Sequence, residues 1–91
     1  MQTVKKGEKR YIAMKVTRRR EGDFTIASAS YDVNGIQSGE CEIDQGSKEI
    51  YFLIDTTLSG FIKGNSYLAE FTVTIDTLPK IIIDHVVISI Q

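Results

Sequence analysis

The stretch SYLAEFTVTID, residues 66–76, decides the fold class of this 91-residue chain. Five of its six apolar residues share one parity, namely Tyr67, Ala69, Phe71, Val73 and Ile75, and Leu68 is the exception. The residues between them are mostly polar, and a period of two is typical of a β-strand that buries one face. The stretch therefore predicts one long strand whose odd-numbered positions point into a core.

The sequence downstream predicts a second long strand paired with this one. Pro79, the only proline, cannot donate a ladder hydrogen bond and marks a turn. Residues 80–90 follow as a closing strand, and Val86, Ile88 and Ile90 occupy its inward parity. The last quarter of the chain thus reads as two long neighbouring strands.

The upstream sequence repeats this pattern in shorter segments. Alternation or apolar runs predict four further strands: residues 9–19, 23–33, 36–44 and 48–55. The apolar face of the second of these switches near Ser28, which predicts a bulge. Asn34-Gly35 is the strongest hairpin signal in the chain. Residues 56–65 read as a loop with room for one helical turn, in which Leu58, Phe61 and Ile62 are expected to pack on an end of the core.

Composition agrees with an all-β fold of one domain. Ile and Val together number 19, whereas Leu and Ala together number 8, a ratio that favours strands. No segment of helical length has a period of 3.6. We predict a single antiparallel β-sandwich of six or seven strands over residues 9–91, with turn signals at sandwich-like spacing. Residues 1–8 are predicted as a flexible basic arm or a short lead-in strand.

The predicted core consists of the inward residues of these strands. They are Ile12, Met14, Val16, Phe24, Ile26, Ile50, Phe52, Ile54, Tyr67, Ala69, Phe71, Val73, Val86 and Ile88.

The net charge of −1 conceals an uneven distribution. Residues 1–20 carry eight Lys/Arg and one Glu, a balance of +7, and residues 21–91 carry three Lys and eleven acids, a balance of −8. This distribution excludes a uniformly basic nucleic-acid binder and a disordered acidic chain. No apolar stretch reaches the length of about 18 residues that a membrane helix needs. The polar N-terminal segment lacks the apolar centre of a signal peptide.

The basic block is the candidate binding site. Its members on the first strand and the following turn form a predicted partner-binding basic edge: Lys9, Arg10, Lys15, Arg18, Arg19 and Arg20. Three interpretations stay open. The charges guard an edge strand against aggregation, they dock onto an acidic face of a protein partner, or, with Tyr11, they bind nucleic acid.

Residues that could carry catalysis or bind a metal lack partners in the sequence. His85 is the only histidine and is predicted to face solvent, and Cys41 is the only cysteine and is predicted to be a small apolar residue. Glu40, Glu42 and Asp44 share one parity but form no calcium-loop motif. We therefore expect no enzyme activity, no catalytic or metal site and no cofactor.

The closing strands resemble a known family. Residues 64–91 are similar to the closing hairpin of immunoglobulin-like sandwiches in phage and prophage virion proteins, such as the N-terminal domain of baseplate upper proteins. The matching positions are Gly64, Tyr67, Ala69, Phe71, Val73, Ile82, Val86 and Ile88. Residues 7–33 are similar to the first two strands of such domains. One more residue separates the glycine and the tyrosine here than is usual in the family.

The resemblance implies an immunoglobulin-like sandwich with a structural role. We expect a small non-enzymatic protein that acts through protein–protein contacts in virion or tail assembly, with other virion proteins or a second copy as partner. It implies a location in the host cytoplasm before assembly and in the virion afterwards. Alternatives are a nucleic-acid-binding module and a carbohydrate- or surface-binding module, for which an exposed cluster of Tyr31, Tyr51 and Phe61 is expected.

Overall fold

The chain folds into eight strands in two sheets and no helix within the residues that the structure describes. The structure is a computed structural model and describes residues 2–17, 24–75 and 80–91. The strands are β1 Gln2–Val4, β2 Lys9–Lys15, β3 Ile26–Val33, β4 Gln37–Glu40, β5 Glu42–Asp44, β6 Glu49–Asp55, β7 Ser66–Ile75 and β8 Lys80–Ile90. In these ranges no helix has the length and apolarity needed to cross a membrane. The all-β fold class is confirmed.

The two sheets have five and three strands. The larger has the order β1-β8-β7-β3-β4 and the smaller the order β2-β6-β5. All neighbouring strands are antiparallel except β1 and β8, which run parallel. The prediction of six or seven antiparallel strands therefore needs two corrections, in the strand count and in this one parallel pair.

The hairpin of β7 and β8 is the longest paired unit of the described chain. Ten consecutive residue pairs run from Ser66 opposite Ser89 to Ile75 opposite Lys80. Ala69, Phe71 and Val73 have no exposed surface, so the inward parity predicted for residues 66–76 is confirmed. This hairpin forms the centre of the larger sheet.

The core lies between the sheets and contains all fourteen predicted residues, either buried or packed against the buried cluster. Its aromatic centre is a stack of Tyr31 on Phe52, whose ring centroids are 3.8 Å apart, with Phe71 tilted against Phe52. The structure adds further buried residues: Val4, Ala29, Val33, Thr56, Ile75 and Ile90. Of the three loop residues expected to pack on the core, Phe61 is fully buried, whereas Leu58 and Ile62 are exposed.

Two predicted backbone features of β3 are confirmed. The register with β7 shifts between Ile26 and Ser28, which is the expected bulge. At the other end, Asn34 and Gly35 both have positive φ, 49° and 73°, and the Ile36 N–H donates to the Val33 carbonyl at 2.8 Å. Two consecutive residues with positive φ make the type I′ turn that suits a hairpin.

The predicted strand over residues 36–44 is divided in two. The chain leaves the larger sheet after Glu40 and enters the smaller sheet at Glu42. Between them the Cys41 N–H donates to the Ala29 carbonyl at 2.8 Å. The sequence did not reveal the crossing because side-chain alternation continues through it, and the second half adds the eighth strand.

The N-terminal segment contains the lead-in strand of the two alternatives, since Gln2–Val4 pairs with β8. Val4 is fully buried, and the Gln91 N–H donates to its carbonyl at 2.9 Å. The buried Thr56 hydroxyl accepts the Gly7 N–H at 2.9 Å and lies within hydrogen-bond distance of the Glu8 carbonyl. A three-residue strand is too short to show periodicity, so the sequence pattern could not decide between the two alternatives.

Two glutamine side chains join the sheets along their backbones. Gln37 of β4 accepts the Asp55 N–H at 2.9 Å and donates to the Leu53 carbonyl at 2.9 Å. Gln45 accepts the Ile26 N–H at 3.1 Å and donates to the Ile26 carbonyl at 2.7 Å. Each amide thereby supplies the donor and acceptor that a neighbouring strand would otherwise provide.

Candidate interaction surfaces

The β2 edge carries the described part of the predicted basic site. Of the described strands only β6 pairs with β2, so β2 forms one edge of the smaller sheet. Lys9 and Lys15 are exposed on the outer face, and the Arg10 guanidinium donates to the Thr3 carbonyl at 2.8 Å. Arg10 therefore spans from the edge of one sheet to the edge of the other. The predicted members Arg18, Arg19 and Arg20 lie outside the described residues.

Both lysines of this edge have an acidic residue directly across the strand pair. Lys9 is opposite Asp55 and Lys15 is opposite Glu49. The pKa of Asp55 is held below its usual 3.8 first by the hydrogen bonds from the Thr57 hydroxyl and N–H, with a smaller contribution from Lys9. Opposite charges across a strand pair attract each other, so β6 partly compensates the basic charge.

An aromatic and aliphatic centre lies between the charges on the same outer face. The rings of Tyr11 and Tyr51 meet edge to face with centroids 5.6 Å apart. Tyr11 is 61% exposed and lies opposite Leu53, which is 41% exposed. Side chains with an apolar body and a polar tip are common at protein interfaces.

The far side of this face is acidic. Glu42 and Asp44 of β5 are exposed and pair in register with Tyr51 and Glu49 of β6. We call this surface the three-strand face; it consists of Lys9, Tyr11, Lys15, Glu49, Tyr51, Leu53, Asp55, Glu42 and Asp44. Its charge therefore changes from basic at β2 to acidic at β5 across an aromatic centre. The sequence supplied the basic members and Tyr11, and the register adds Tyr51, Leu53 and the acids.

The three carboxylates considered for a metal do not share one strand. Glu40 ends β4 in the larger sheet, whereas Glu42 and Asp44 belong to β5 in the smaller sheet. Among the described residues, no group of three His, Cys, Asp or Glu side chains lies close enough to hold a metal ion.

His85 and Cys41 occupy the environments that the sequence predicted. His85 is exposed on β8, and its Nε2 lies 3.2 Å from Oε2 of Glu70 on β7. Cys41 is half-buried against the core, and burial raises the pKa of its thiol to about 11. A thiol with so high a pKa is almost entirely protonated at neutral pH and is a poor nucleophile.

Tyr67 fastens the loop before β7 to the sandwich. Its hydroxyl accepts the Ile62 N–H at 2.8 Å and donates to the Gly60 carbonyl at 3.0 Å. Its ring meets the buried Phe61 edge to face, with centroids 5.3 Å apart. Tyr67 thus closes the corner between β6 and β7.

The aromatic cluster expected for a carbohydrate-binding module does not form. Phe61 is fully buried, and Tyr31 stacks on Phe52 within the core. Of the three residues named for that cluster, Tyr51 alone contributes to an outer face. The expectation failed for Phe61 because alternation assigns no face to a loop residue. It failed for Tyr31 because this residue lies after the bulge of β3, on the parity of the buried Ala29 and Val33.

A second exposed surface was missed by the sequence reasoning. On the outer face of the larger sheet, Ile81 is 62% exposed, Ile83 58%, Val87 39% and Leu68 43%. Leu68 and Val87 are directly opposite each other. The alternation of β8 already contained these residues, since both of its parities are apolar.

Comparison with known proteins adds no relative. No family model, no curated protein and no solved structure matches the chain.

Proposed function

We propose that this chain is a small, non-enzymatic structural protein of a phage or prophage particle that acts through protein–protein contacts in tail or baseplate assembly. The contact surface is the three-strand face. The observation that carries the proposal is the order of that face, with basic residues on β2, the exposed Tyr11 and the half-buried Tyr51 in the centre, and acidic residues on β5.

The strand order supports the immunoglobulin-like class within this proposal. Immunoglobulin sandwiches place strands B, E and D in one sheet and C, F and G in the other, with C′ added beside C in some members. Assigning β2 to B and continuing along the chain makes β2-β6-β5 the B-E-D sheet and β8-β7-β3-β4 the G-F-C-C′ sheet.

The Tyr67 corner is a second, independent support. Immunoglobulin-like domains often carry a tyrosine near the start of strand F whose hydroxyl bonds to the backbone a few residues upstream. Tyr67 is the second residue of β7, and its partners are Gly60 and Ile62. Tyr67 is also one of the positions that resemble phage virion domains. The resemblance therefore includes the residue whose hydroxyl forms this corner.

The polarised face favours a protein partner because its two charged sides can each find a complement. Complementary charges give orientation and specificity, while aromatic side chains in the centre supply most of the binding energy. The acidic side of one molecule can meet the basic side of the next, as in the head-to-tail contacts that build rings and tubes. This contact uses Lys9, Tyr11 and Lys15 together.

The test is binding of the purified full chain to itself and to the products of neighbouring genes, followed by sedimentation velocity at low and high salt. We expect association that weakens as salt rises, because rim charges are screened. Lys9→Glu/Lys15→Glu should abolish this salt-dependent association, whereas Lys63→Glu, the same change on an exposed loop, should leave it unchanged. A chain that binds neither itself nor any neighbouring gene product at low salt would overturn the proposal.

Nucleic-acid binding is the second candidate, favoured by the common exposure of Lys9, Tyr11 and Lys15 on one face. Two lysines flanking an aromatic ring can contact phosphates and stack a base. Titration with single-stranded DNA should then show binding that falls steeply with salt and disappears in Lys9→Glu/Lys15→Glu. The facing acids Glu49 and Asp55 oppose this function, which is why it ranks second.

A further inference from the structure

The strand β8 is longer than the strand that covers it. Its outer neighbour β1 pairs only with residues 88–90, whereas β8 begins at Lys80. Within the described residues, nothing pairs with residues 80–87 on the side away from β7. We call this segment the β8 edge.

Backbone groups along the β8 edge point outward at alternate residues. Gln91 exchanges hydrogen bonds with Val4 and Lys6 on the outer side, whereas Ile90 bonds to Gly64 and Asn65 on the β7 side. Alternation along an extended strand then directs the N–H and C=O groups of Ile81, Ile83 and His85 outward. The His85 N–H bonds to the Asp84 carboxylate at 2.8 Å, which leaves Ile81 and Ile83 as the residues available for a new strand.

Ile81 and Ile83 carry no charge that would guard this edge against pairing. Edge strands are usually blunted by lysine, proline or a covering loop. Ile81 and Ile83 are instead 62% and 58% exposed, and both are β-branched. An open ladder next to exposed β-branched side chains is the surface that a further extended strand binds.

The sequence of the edge identifies its occupant as a second copy of this chain. Residues 80–84 read KIIID, with opposite charges at the ends of three isoleucines. In an antiparallel pair centred on Ile82, Lys80 of one copy lies opposite Asp84 of the other. Ile81 then lies opposite Ile83 with hydrogen bonds in both directions.

Other registers are worse because of charge. A pair centred on Asp84 places two carboxylates directly opposite each other, which is repulsive. A pair centred on Ile83 places Asp84 opposite Ile82, which offers the carboxylate no opposite charge. The register centred on Ile82 satisfies both charges twice, once on each side of the two-fold axis.

We infer that the β8 edge pairs antiparallel with the β8 edge of a second copy, joining two five-stranded sheets into one sheet of ten strands across a two-fold axis. The inference rests on the proposed assembly role for its biological purpose. It deepens that role by naming one partner, a second copy of this chain. It uses the opposite sheet from the three-strand face, so the two contacts can be tested separately.

A charge exchange tests the pairing. Asp84→Lys and Lys80→Asp should each weaken the dimer by about tenfold or more, since each replaces two attractive cross-strand pairs with two repulsive ones. The double variant Lys80→Asp/Asp84→Lys should restore the wild-type dissociation constant. Lys63→Asp is the matched control and should have no effect. Sedimentation equilibrium measures the constants, and urea unfolding of each variant checks that it is folded.

A single cysteine tests the register. In a Cys41→Ala background, Ile82→Cys places the new thiol opposite its own copy at a pair without backbone hydrogen bonds, where the short Cα separation suits a disulfide. Ile82→Cys should form the symmetric disulfide at least about tenfold faster than Ile83→Cys, because thiols that are not directly opposed form a bridge only after a backbone shift.

The outcomes separate this inference from the proposed function. A wild-type chain that stays monomeric to millimolar concentration, or a double charge exchange as weak as the single variants, would overturn the β8 pairing. Loss of partner binding in Lys9→Glu/Lys15→Glu would still support the three-strand face in that case. Conversely, a β8 dimer that persists while those two substitutions change nothing would overturn the proposed contact face and keep the pairing.

Discussion

The two long edges of the molecule are built in opposite ways. The β2 edge carries Lys9, Arg10 and Lys15, with acidic residues across the strand pair. The β8 edge carries Ile81 and Ile83, both more than half exposed. Each edge lacks a neighbouring strand on one side in the described part of the chain.

The difference teaches that one edge is kept from pairing and the other is not. Lysines on an edge strand make strand addition costly because a new partner must desolvate or meet their charges. Exposed isoleucines favour it, since a second strand would bury them. Of these two edges, the β8 edge therefore favours the addition of a strand and the β2 edge opposes it.

Removal of the central core side chain should have the largest effect on the unfolding free energy. Both edges depend on the folded sandwich, so both are lost when it unfolds. Phe71→Ala deletes a fully buried ring between the sheets, and such deletions cost about 3–5 kcal/mol of unfolding free energy. Urea unfolding followed by circular dichroism measures the loss. Leu68→Ala, an exposed position on the same strand, is the control. Equal losses in the two variants would contradict the core assignment.

Removal of the Gln37 amide should have the next largest effect, at the contact between β4 and β6. Gln37→Leu leaves the Asp55 N–H and the Leu53 carbonyl without their partner, which costs about 1–3 kcal/mol where the groups are shielded from water. Hydrogen exchange of the Asp55 amide should accelerate in the variant. Slow exchange there, as in the wild type, would show that the amide does not hold the two sheets together.

Exchange of edge residues should change stability little and association strongly. Ile83→Lys places a lysine on the β8 edge, like those of the β2 edge. Lys15→Ile places an exposed isoleucine on the β2 edge. Each should change the unfolding free energy by less than about 1 kcal/mol because both positions are exposed. Light scattering should show a monomer for the first variant and new aggregation for the second. A dimer that survives Ile83→Lys would contradict the contrast between the edges.

The smallest expected effect is the contribution of Asp55 to stability, which is lost in acid. Its folded pKa lies below the usual 3.8, so its contribution to stability is complete above that value and is lost as pH falls through the folded pKa. Asp55→Asn should therefore lower the urea midpoint at neutral pH, and the difference from wild type should vanish in strong acid. Asp32→Asn, on the outer face of the larger sheet, is the control. A difference that does not depend on pH would exclude the carboxylate as its source.

Periodicity alone predicted most of the strands and fourteen residues of the core, but not Val4, Ala29 or Val33. The alternation in residues 66–76 and the Asn34-Gly35 turn are local signals, and burial of one face follows from them directly. The shift of apolar parity near Ser28 likewise predicted the bulge. The basic residues Lys9 and Lys15 were correctly placed on one exposed face of an edge strand.

Only the tertiary structure decided which strands are neighbours, and the candidate surfaces depend on that. Side-chain alternation carries no information about the partner of a backbone edge, so the crossing at Cys41, the parallel pairing of Val4 and the acids opposite the lysines were not predictable. The sequence by itself shows the opposite charges at the two ends of KIIID, residues 80–84. This segment became a candidate interface only because β1 ends three residue pairs into an eleven-residue strand and leaves its backbone open.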